Sequence, residues 1–217
     1  MLRSEVTAGM PSRDYHDALW AGAPEGVEPS AFELRRRFLL ANVRPGLRVL
    51  DVGCAEGAFT AELDRAGIDV MGIDVAEEPL RRARVRHPGL DFRLVDGEGD
   101  WELPDAAFDA VWAGEVIEHV ADTARWLSEI RRVTRSGGTL LVSTPAHERA
   151  EMLRLSLSRR AFAEHFEPRG DHLRFYARAT LAELLCDFGF EQLELRLSGA
   201  LPRARRVLLA KARRSRY

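Results

Sequence analysis

The amino-acid sequence predicts an α/β fold, doubly wound around a mainly parallel sheet of seven strands with an antiparallel last strand. Short apolar runs alternate with helical segments between residues 47 and 145. This alternation is typical of βαβ units with helices on both faces of the sheet. Two more strand-like segments near the end of the chain are expected to pair as a hairpin or antiparallel edge. The length of 217 residues, with 46% hydrophobic and 30% charged residues, suits one domain with a full core.

The first part of the chain predicts an extension followed by a helix. Residues 1–29 contain the possible helix SRDYHDALW and a stretch rich in Gly and Pro, so we interpret them as an N-terminal extension. The segment PSAFELRRRFLLANV opens on Pro and has apolar residues at helical spacing, and Pro-Gly at 45–46 stops it. We therefore predict a helix there.

Strands and helices then follow one another, with Gly or Pro-Gly ending most of the helices. In order, the segments are the strand LRVLDV, the helix GAFTAELDRAG, the strand IDVMGID, the helix AEEPLRRARVRHPG, the strands LDFRLV and FDAVWAG, the helix ADTARWLSEIRRVTRSGG and the strand TLLVSTP. Residues 146–178 break this rhythm with an Arg-rich, aromatic insert that we expect to form a lid. The helix ATLAELLCDFGF and the strands FEQLELRL and RRVLLAKA complete the prediction.

Composition narrows the class of protein. The net charge of −2 argues against a chain that binds polyanions through its overall charge. Cys54 and Cys186 fit neither a disulfide framework nor a zinc pattern. No signal peptide or membrane-length apolar run is evident, so we expect a cytoplasmic protein without membrane contact. Residues 201–217 hold seven Arg or Lys and no Asp or Glu. They indicate a last strand with a solvated basic tail or, alternatively, contact with phosphate or another acidic partner.

The segment VLDVGCAEG, residues 49–57, predicts a ligand site at the end of the first strand. Gly53 permits a turn without a Cβ clash, Gly57 lets the next helix start close to the sheet, and the free amides of that helix can hold an anion. Asp51 suits a cationic group, and Asp74, 74 − 51 = 23 residues further on, suits a ribose diol. Alternatively, the glycines only make a tight turn and Asp74 only caps a helix.

The spacing of this segment differs from the dinucleotide fingerprint. It runs Gly53-x-Ala55-x-Gly57 with no glycine at position 58, whereas a pyrophosphate site requires GxGxxG. We therefore expect a smaller, zwitterionic group at this turn, similar to the head of an amino acid. Since Ala55 carries a Cβ, we expect a negative φ at that residue.

Taken together, these segments resemble the class I S-adenosylmethionine-dependent methyltransferases with domains of the methyltransferase 11 and 23 types. The resemblance is carried by VLDVGCAEG, GID at 72–74, VDGE at 95–98, FDAVWAGEVIEHV at 108–120, SEIRRVTRSGGTLLVSTP at 128–145 and HLRFYARATLAELLCDFGFE at 172–191. It implies a Rossmann-like methyltransferase fold and a methyltransferase domain over 30–217 with the lid insert at 146–178. It further implies S-adenosylmethionine as cofactor and methyl transfer to a small-molecule acceptor, with a hydroxyl as the expected target.

The resemblance also implies roles for individual residues. The turn from Gly53 to Gly57 would cradle the methionine part of the cofactor, Asp51 would lie near its ammonium group, and Asp74 would accept from the ribose. Asp96 would accept from the adenine amino group, with Glu98 or Asp100 as alternatives. The implied cofactor-binding set is Asp51, Gly53, Cys54, Ala55, Gly57, Asp74, Val75, Asp96, Gly97, Glu98, Gly114 and Glu115.

The stretch EVIEHV holds the candidate catalytic groups. Glu115, Glu118 and His119 are spaced i, i+3 and i+4, so they would share a face if this turn were helical. They could then bind a divalent cation with His172 from the insert, as in similar small-RNA 2′-O-methyltransferases and ubiquinone-pathway O-methyltransferases. The same pattern also occurs in family members with no known metal. We predict His119 as the catalytic residue, as base or pocket residue, and no resident metal.

Three further questions stay open at the level of sequence. Phe162, Phe166 and Phe175 either clamp a planar acceptor or only pack the lid, and Tyr15 and Trp20 either cover the cofactor or only pack. The function has two main alternatives, a metal-dependent RNA 2′-O-methyltransferase and a non-catalytic binding or scaffold protein. The acidic body and the absence of an added RNA-binding domain argue against nucleic acid as partner. Oligomeric state is not predicted.

Overall fold

The fold is described here from a computed structural model, which covers residues 12–97, 99–167, 170–199 and 206–216, without the side chains of residues 12, 13, 192 and 193. The helices are α1 (Ser12–Ala21), α2 (Phe32–Asn42), α3 (Ala58–Arg65), α4 (Glu77–Arg86), α5 (Thr123–Val133), α6 (Arg149–Ser156), α7 (Arg159–His165) and α8 (Arg178–Asp187). The strands are β1 (Arg48–Val52), β2 (Asp69–Asp74), β3 (Asp91–Leu94), β4 (Phe108–Gly114), β5 (Thr134–Pro145), β6 (Phe190–Ser198) and β7 (Val207–Arg214). Glu98 and residues 201–205 lie outside the described residues.

The seven strands form one sheet in the order β3-β2-β1-β4-β5-β7-β6, which confirms the predicted fold class. The first five strands are parallel, and β7 runs antiparallel between β5 and β6. Val49 of β1 is paired with Val70 of β2 and with Ala110 of β4. The strand order therefore reverses beside β1, where ligands bind in open α/β sheets.

Helices bury apolar side chains against both faces of the sheet. Along β4, Ala110 and Trp112 pack with α2 and α3, whereas Val111 and Ala113 pack with α5 and α8. This alternation is the period of two that a strand covered on both faces requires. Trp112 and Val111 are fully buried, so the centre of the sheet forms the core that supports the carboxyl ends of the strands.

The boundary between α5 and β5 differs from the prediction. The helix was expected to continue to the Gly-Gly pair at 137–138, but it ends at Val133, and β5 begins at once. Thr134 has extended dihedral angles, and its hydroxyl donates to the Ile130 carbonyl at 2.6 Å. The two glycines instead lie in an irregular part of β5 that other residues would not fit. Gly137 has a φ of 71°, and a Cβ on Gly138 would lie 2.9 Å from the Asp109 carbonyl.

The insert at 146–178 leaves the sheet and returns to it at one point. Ala146 forms a parallel bridge with Tyr176, and the His147 amide donates to the Tyr176 carbonyl at 2.9 Å. The described helices between these ends, α6 and α7, contain no buried residue. Within the described part of the chain, no helix has the length and hydropathy that a bilayer crossing requires.

Candidate active site

A cavity of about 630 Å³ opens at the carboxyl ends of β1, β2 and β4. Its floor consists of the residues that follow these strands, namely 52–55, 73–75 and 114–116. Its opposite wall is formed by the N-terminal segment 12–30, here named the cover. The cover residues that line the cavity are His16, Leu19, Trp20, Ala23, Pro24, Val27, Glu28, Pro29 and Ser30. From the described part of the insert, Asp171 lines it.

The turn after β1 requires its two glycines. Gly53 has a φ of 68°, and a Cβ there would overlap the Val116 side chain. Gly57 has a φ of 80°, and a Cβ would lie 2.6 Å from Cζ of Phe92. The glycines thus allow the chain to turn sharply off the strand and start α3 close to the sheet.

The predicted negative φ of Ala55 is wrong, because the structure has a φ of 49° there. This left-handed conformation directs the Ala55 amide to Oδ2 of Asp74, at 2.9 Å. A residue with a Cβ is destabilised in that conformation by about 1 kcal/mol. The hydrogen bond to Asp74 connects the turn after β1 to the end of β2.

Asp74 lies buried at the end of β2, in the lining of the cavity. Besides the bond from Ala55, its Oδ1 accepts from the amide of Ala76, which precedes α4, at 3.0 Å. This bond reaches the residue before α4 and not the first turn of the helix, so Asp74 does not cap α4, and both of its oxygens keep a lone pair for a further donor. Burial raises the pKa of this carboxyl group, and the backbone donors partly offset the effect. The next residue, Val75, also lines the cavity.

Asp51 and Cys54 occupy different positions around the floor. Asp51 is buried outside the lining and accepts from the Thr60 hydroxyl at 2.6 Å. Burial raises the pKa of Asp51 to about 7, against the opposing effects of Thr60 and Arg35. Cys54 lines the cavity, and its amide donates to the Ile73 carbonyl at 3.0 Å. Burial raises the pKa of its thiol.

The segment after β3 is only partly in the cavity. Asp96 is exposed and does not line it, and Asp100 is exposed and paired with Arg125. Gly97 lines the cavity, and its carbonyl accepts from Nε1 of Trp101 at 3.2 Å. Trp101 is buried and also lines the cavity, a contribution that we did not predict.

The residues after β4 place a carboxylate beside a buried guanidinium. A Cβ on Gly114 would overlap the Arg35 side chain. Glu115 precedes the 3₁₀ turn Ile117–His119 and has a φ of 56°, which is not a helical value. It therefore does not share a helical face with Glu118. Its Oε1 is buried without a hydrogen-bond partner among the described residues. Burial raises the pKa of Glu115, and the nearby Arg35 partly offsets this.

Sequence reasoning missed Arg35, which is 3% exposed and lines the cavity. Its Nε donates to the Ser143 hydroxyl at 2.9 Å and its Nη1 to the Ser30 carbonyl at 3.1 Å. The guanidinium also lies 4.6 Å from the centre of the Phe59 ring. A helical-face count could have found this residue, because it stands three positions after Phe32 and four before the fully buried Leu39.

Glu118 is fully buried behind the cavity. Its Oε2 accepts from the Thr144 hydroxyl at 3.0 Å, and its Oε1 has no partner among the described groups. Burial, and then the charge of Glu115, raise the pKa of Glu118 to about 8. Its carbonyl accepts from the amides of Leu173 and Arg174 at 2.7 and 3.0 Å, which attaches the returning insert to the site.

His119 lines the cavity and is held by both neighbouring segments. Its Nδ1 lies 2.9 Å from the Asp171 carbonyl, so that nitrogen must donate and the neutral ring has its lone pair on Nε2. Nε2 lies 3.9 Å from Oε1 of Glu118, and the ring packs edge-on against His172. One ligand atom from each of Glu118, His119 and His172 falls within a 4.8 Å cluster. The predicted partnership of His172 with this pair is therefore present, whereas Glu115 is not in the cluster.

The aromatic residues of the insert pack among themselves. Phe162, Phe166 and Phe175 form ring contacts with one another and with His147 and His165, and none of them lines the cavity. The packing alternative thus describes them. In the cover, Trp20 lines the cavity, whereas Tyr15 packs against the His16 ring without lining it.

The cover is attached to the rim of the cavity by a buried charge network. Glu56, in the turn after β1, accepts from the Gly26 amide at 2.8 Å and from Arg82 at 3.1 Å. Arg82 also donates to the carbonyls of Trp20 and Ala23 at 2.8 and 3.1 Å. Because Arg82 and Glu56 are each 7% exposed, solvent does not weaken these bonds appreciably.

The buried carboxyl groups of the site outnumber the buried cationic groups near them. Four buried carboxyl groups at or just under the floor have raised pKa values, with burial as the main cause, and they are Asp51, Asp74, Glu115 and Glu118. Arg35 is the guanidinium that partly offsets this effect for three of them. A ligand that carries positive charge would therefore be stabilised here.

Comparison with known proteins agrees with this geometry. The family model described as "Methyltransferase domain" matches residues 25–195. A "Probable S-adenosylmethionine-dependent methyltransferase" of Mycolicibacterium smegmatis is 36% identical over 152 residues, which cover 70% of this chain and 55% of that protein. A "Ubiquinone biosynthesis O-methyltransferase" of Azorhizobium caulinodans is 34% identical over 167 residues, covering 71% and 63%. The chain thus spans between about half and two thirds of the length of these two relatives.

A solved structure shares the fold. The Burkholderia thailandensis 1,6-didemethyltoxoflavin-N1-methyltransferase, with bound 1,6-didemethyltoxoflavin and S-adenosylhomocysteine, aligns with a TM-score of 0.68. The alignment covers 97% of this chain and 93% of that one at 19% identity. Identity at that level supports a common fold, and acceptor choice depends on the residues of each site.

Proposed function

The chain belongs to the class I S-adenosylmethionine-dependent methyltransferases, and on that premise we propose that it methylates a hydroxyl group of a small molecule. The observation that carries the proposal is the excess of buried carboxyl groups around a cavity built on the turn after β1. S-adenosylmethionine carries a sulfonium and an ammonium group, so it supplies the positive charge that this site lacks. The cavity volume of about 630 Å³ lies in the usual range for small-molecule sites.

Each end of the cavity offers groups suited to a part of this donor. Asp74 keeps lone pairs for ribose hydroxyls, and the Arg35 guanidinium is available to a carboxylate. Glu115, with its unpartnered Oε1, can accept from an ammonium group. When bound, the donor supplies an electrophilic methyl carbon, and the protein contributes alignment and exclusion of water. Trp20 and the rest of the cover provide the water-excluding wall.

A hydroxyl acceptor is supported by the imidazole of the 3₁₀ turn after β4 and by the names of the relatives. Nε2 of His119 bears the lone pair of the neutral ring, so it can accept a hydrogen bond from a hydroxyl group. Several relatives, including the one from Azorhizobium caulinodans, are named as O-methyltransferases of ubiquinone biosynthesis. His119 is accordingly the proposed catalytic contact with the acceptor.

Isothermal titration calorimetry tests the choice of donor. We expect S-adenosylmethionine and S-adenosylhomocysteine to bind with micromolar dissociation constants and NAD⁺ not to bind. Asp74→Asn should weaken the binding of both by about 10- to 100-fold, because the ribose acceptor and one anchor of the turn are lost together. Asp69→Asn, at the exposed start of the same strand, is the matched control. Wild-type affinity in the Asp74 variant would refute the ribose assignment.

The charge argument has its own test in the same instrument. If a cationic donor lowers the pKa values of Asp51 and Glu118, its binding must release protons near pH 7. Titrations in buffers of different ionisation enthalpy measure that release. S-adenosylhomocysteine lacks the sulfonium charge, so it should release fewer protons. Equal release by the two ligands would contradict the argument.

A metal-assisted version of the same reaction is the second candidate, because Glu118, His119 and His172 present a ligand cluster. A divalent cation held there would lower the pKa of an acceptor hydroxyl. Turnover with catechol or with a short single-stranded RNA, with and without a chelator, separates this version from the metal-free one predicted from sequence. The metal-assisted version would be supported if the chelator abolished turnover and added Mn²⁺ restored it. In His172→Gln, Mn²⁺ should then fail to restore turnover. RNA as the better substrate would favour the RNA alternative.

A further inference from the structure

Among the described residues, two imidazoles line the cavity from different parts of the fold. His119 belongs to the 3₁₀ turn after β4, and His16 belongs to α1 in the cover. Methyl transfer to a hydroxyl group benefits from a positioned proton acceptor, and an imidazole with a free lone pair can serve as one. Which of the two rings is available therefore decides the route of the proton.

The contacts of the two rings differ. His119 is bound to the Asp171 carbonyl through Nδ1, and its Nε2 faces Glu118 and His172. His16 is half-buried, and within the described part of the chain neither of its ring nitrogens forms a hydrogen bond with another protein group. The His16 ring is therefore available to contact a ligand.

The surroundings of His16 favour a neutral ring at rest. Burial lowers its pKa, so the ring is mainly neutral and can accept a proton near pH 7. The groups that act on it are Asp74 from the end of β2, His119 from the 3₁₀ turn, Asp171 from the insert, and Asp17 from its own helix. The three carboxylates favour the imidazolium that forms once a proton has been accepted.

The position of His16 is fixed by the contacts of α1 with α4. Ala76, the residue before α4, has no side chain that could cap the helix. Asp17 of α1 takes that role, because its carboxylate accepts from the Glu78 amide in the first turn of α4 at 2.8 Å. From the same helix, Arg82 pairs with Glu78 at 2.8 Å and donates to the Trp20 carbonyl near the C-terminal end of α1. The part of α1 that follows His16 is thus attached to α4 at two points, and the remaining charged side chains of α4 are engaged in ion pairs, Glu77 with Arg84, Arg81 with Glu78 and Arg86 with Glu56.

We propose that His16 is a catalytic base of this site, an inference that rests on the proposed function. The acceptor oxygen forms its bond to the methyl carbon, and the electron pair of the broken carbon–sulfur bond stays on sulfur. The hydroxyl proton passes to His16, which releases it to solvent when the products leave. His119 orients the acceptor from the turn after β4, and His16 belongs to the cover, so catalysis requires the cover to be in place.

The test combines His16→Gln with Asp14→Asn, a change on the exposed part of the same helix. Calorimetry with S-adenosylhomocysteine should give wild-type affinity for both variants, within about twofold. Turnover with catechol or 3,4-dihydroxybenzoate should fall about 100-fold or more in His16→Gln and stay unchanged in Asp14→Asn. The acidic limb of the wild-type kcat/KM profile should lie below pH 6.5 and disappear in His16→Gln. NMR titration of the histidines gives the matching pKa directly.

The outcomes separate the inference from its premise. Wild-type affinity with turnover within about threefold of wild type in His16→Gln would overturn the assignment of the base. A loss of S-adenosylhomocysteine affinity equal to the loss of turnover would overturn it too, because His16 would then be a donor-binding residue. Wild-type protein that binds neither S-adenosylmethionine nor its product would refute the proposed function, and the inference with it.

Discussion

The buried carboxyl group of Glu118 leads to a prediction about stability that does not depend on any ligand. Its pKa is about 8 in the folded protein, against a reference value of 4.5, and burial is the main cause. Between these values the folded protein keeps a proton that the unfolded chain has released. The contribution of this group to the free energy of unfolding therefore falls as the pH rises from 4.5 to 8.

The magnitude follows from the two pKa values. At 1.36 kcal/mol per pKa unit, the wild type should lose up to about 3 kcal/mol from this group between about pH 5.5 and pH 8. Glu118→Gln removes that loss, since the amide is neutral at both pH values and keeps an oxygen for the Thr144 hydroxyl.

Urea unfolding followed by tryptophan fluorescence measures the difference at the two pH values. We expect the stability of Glu118→Gln relative to wild type to increase by about 1–3 kcal/mol from pH 5.5 to pH 8. Glu102→Gln, at an exposed position, should follow the wild type at both. Parallel pH dependences for wild type and Glu118→Gln would refute the reasoning, because they would mean that Glu118 titrates normally in the fold.

Three other substitutions test the turn and the cover. Ala55→Gly should raise the free energy of unfolding by about 0.5–1 kcal/mol, because it relieves a left-handed alanine, and urea unfolding checks this. Gly57→Ala should lower it by about 2–3 kcal/mol, because the new Cβ meets Phe92, and an unchanged unfolding midpoint would contradict the geometry. Arg82→Met should lower the free energy of unfolding by about 1–3 kcal/mol and weaken S-adenosylhomocysteine binding about tenfold, because Glu56 keeps only Arg86 as a cationic partner and the cover loses two bonds. Calorimetry measures the second effect, with exposed Arg37→Met as control.

The order and type of the elements could be predicted because the physical signals are local. Apolar runs, glycine stops and the antiparallel final pair all follow from short segments, and the structure confirms the fold class. The end of α5 was missed because Gly137 and Gly138 also suit a strand irregularity, and only the pairing of β5 with β4 decides between the two. The left-handed Ala55 was missed for a similar reason, since the bond that favours it comes from Asp74, 19 residues away.

The residues of the site also fall into those that the sequence predicts and those that it does not. Residues within one motif, such as Gly53 and Gly57, have positions that their spacing indicates. Arg35 and Trp101 were missed because they reach the cavity from segments that carry no motif. The cover was only a suggestion from two aromatic residues, yet it forms a whole wall of the cavity. Its attachment depends on Glu56 and Arg82, which are far apart in sequence and have no pattern in common.

The bond between Glu56 and the cover has a consequence for the time course of turnover. Glu56 belongs to the same turn that forms the floor, so a molecule in the cavity is enclosed between a turn and a wall that are joined to each other. We expect departure of the product to involve opening of the cover, in which the buried pair of Glu56 and Arg82 separates and becomes hydrated, a step that is slow relative to local side-chain motion. We therefore expect a rapid burst of one methylated product per site in the first turnover, followed by a slower steady state set by the opening of the cover.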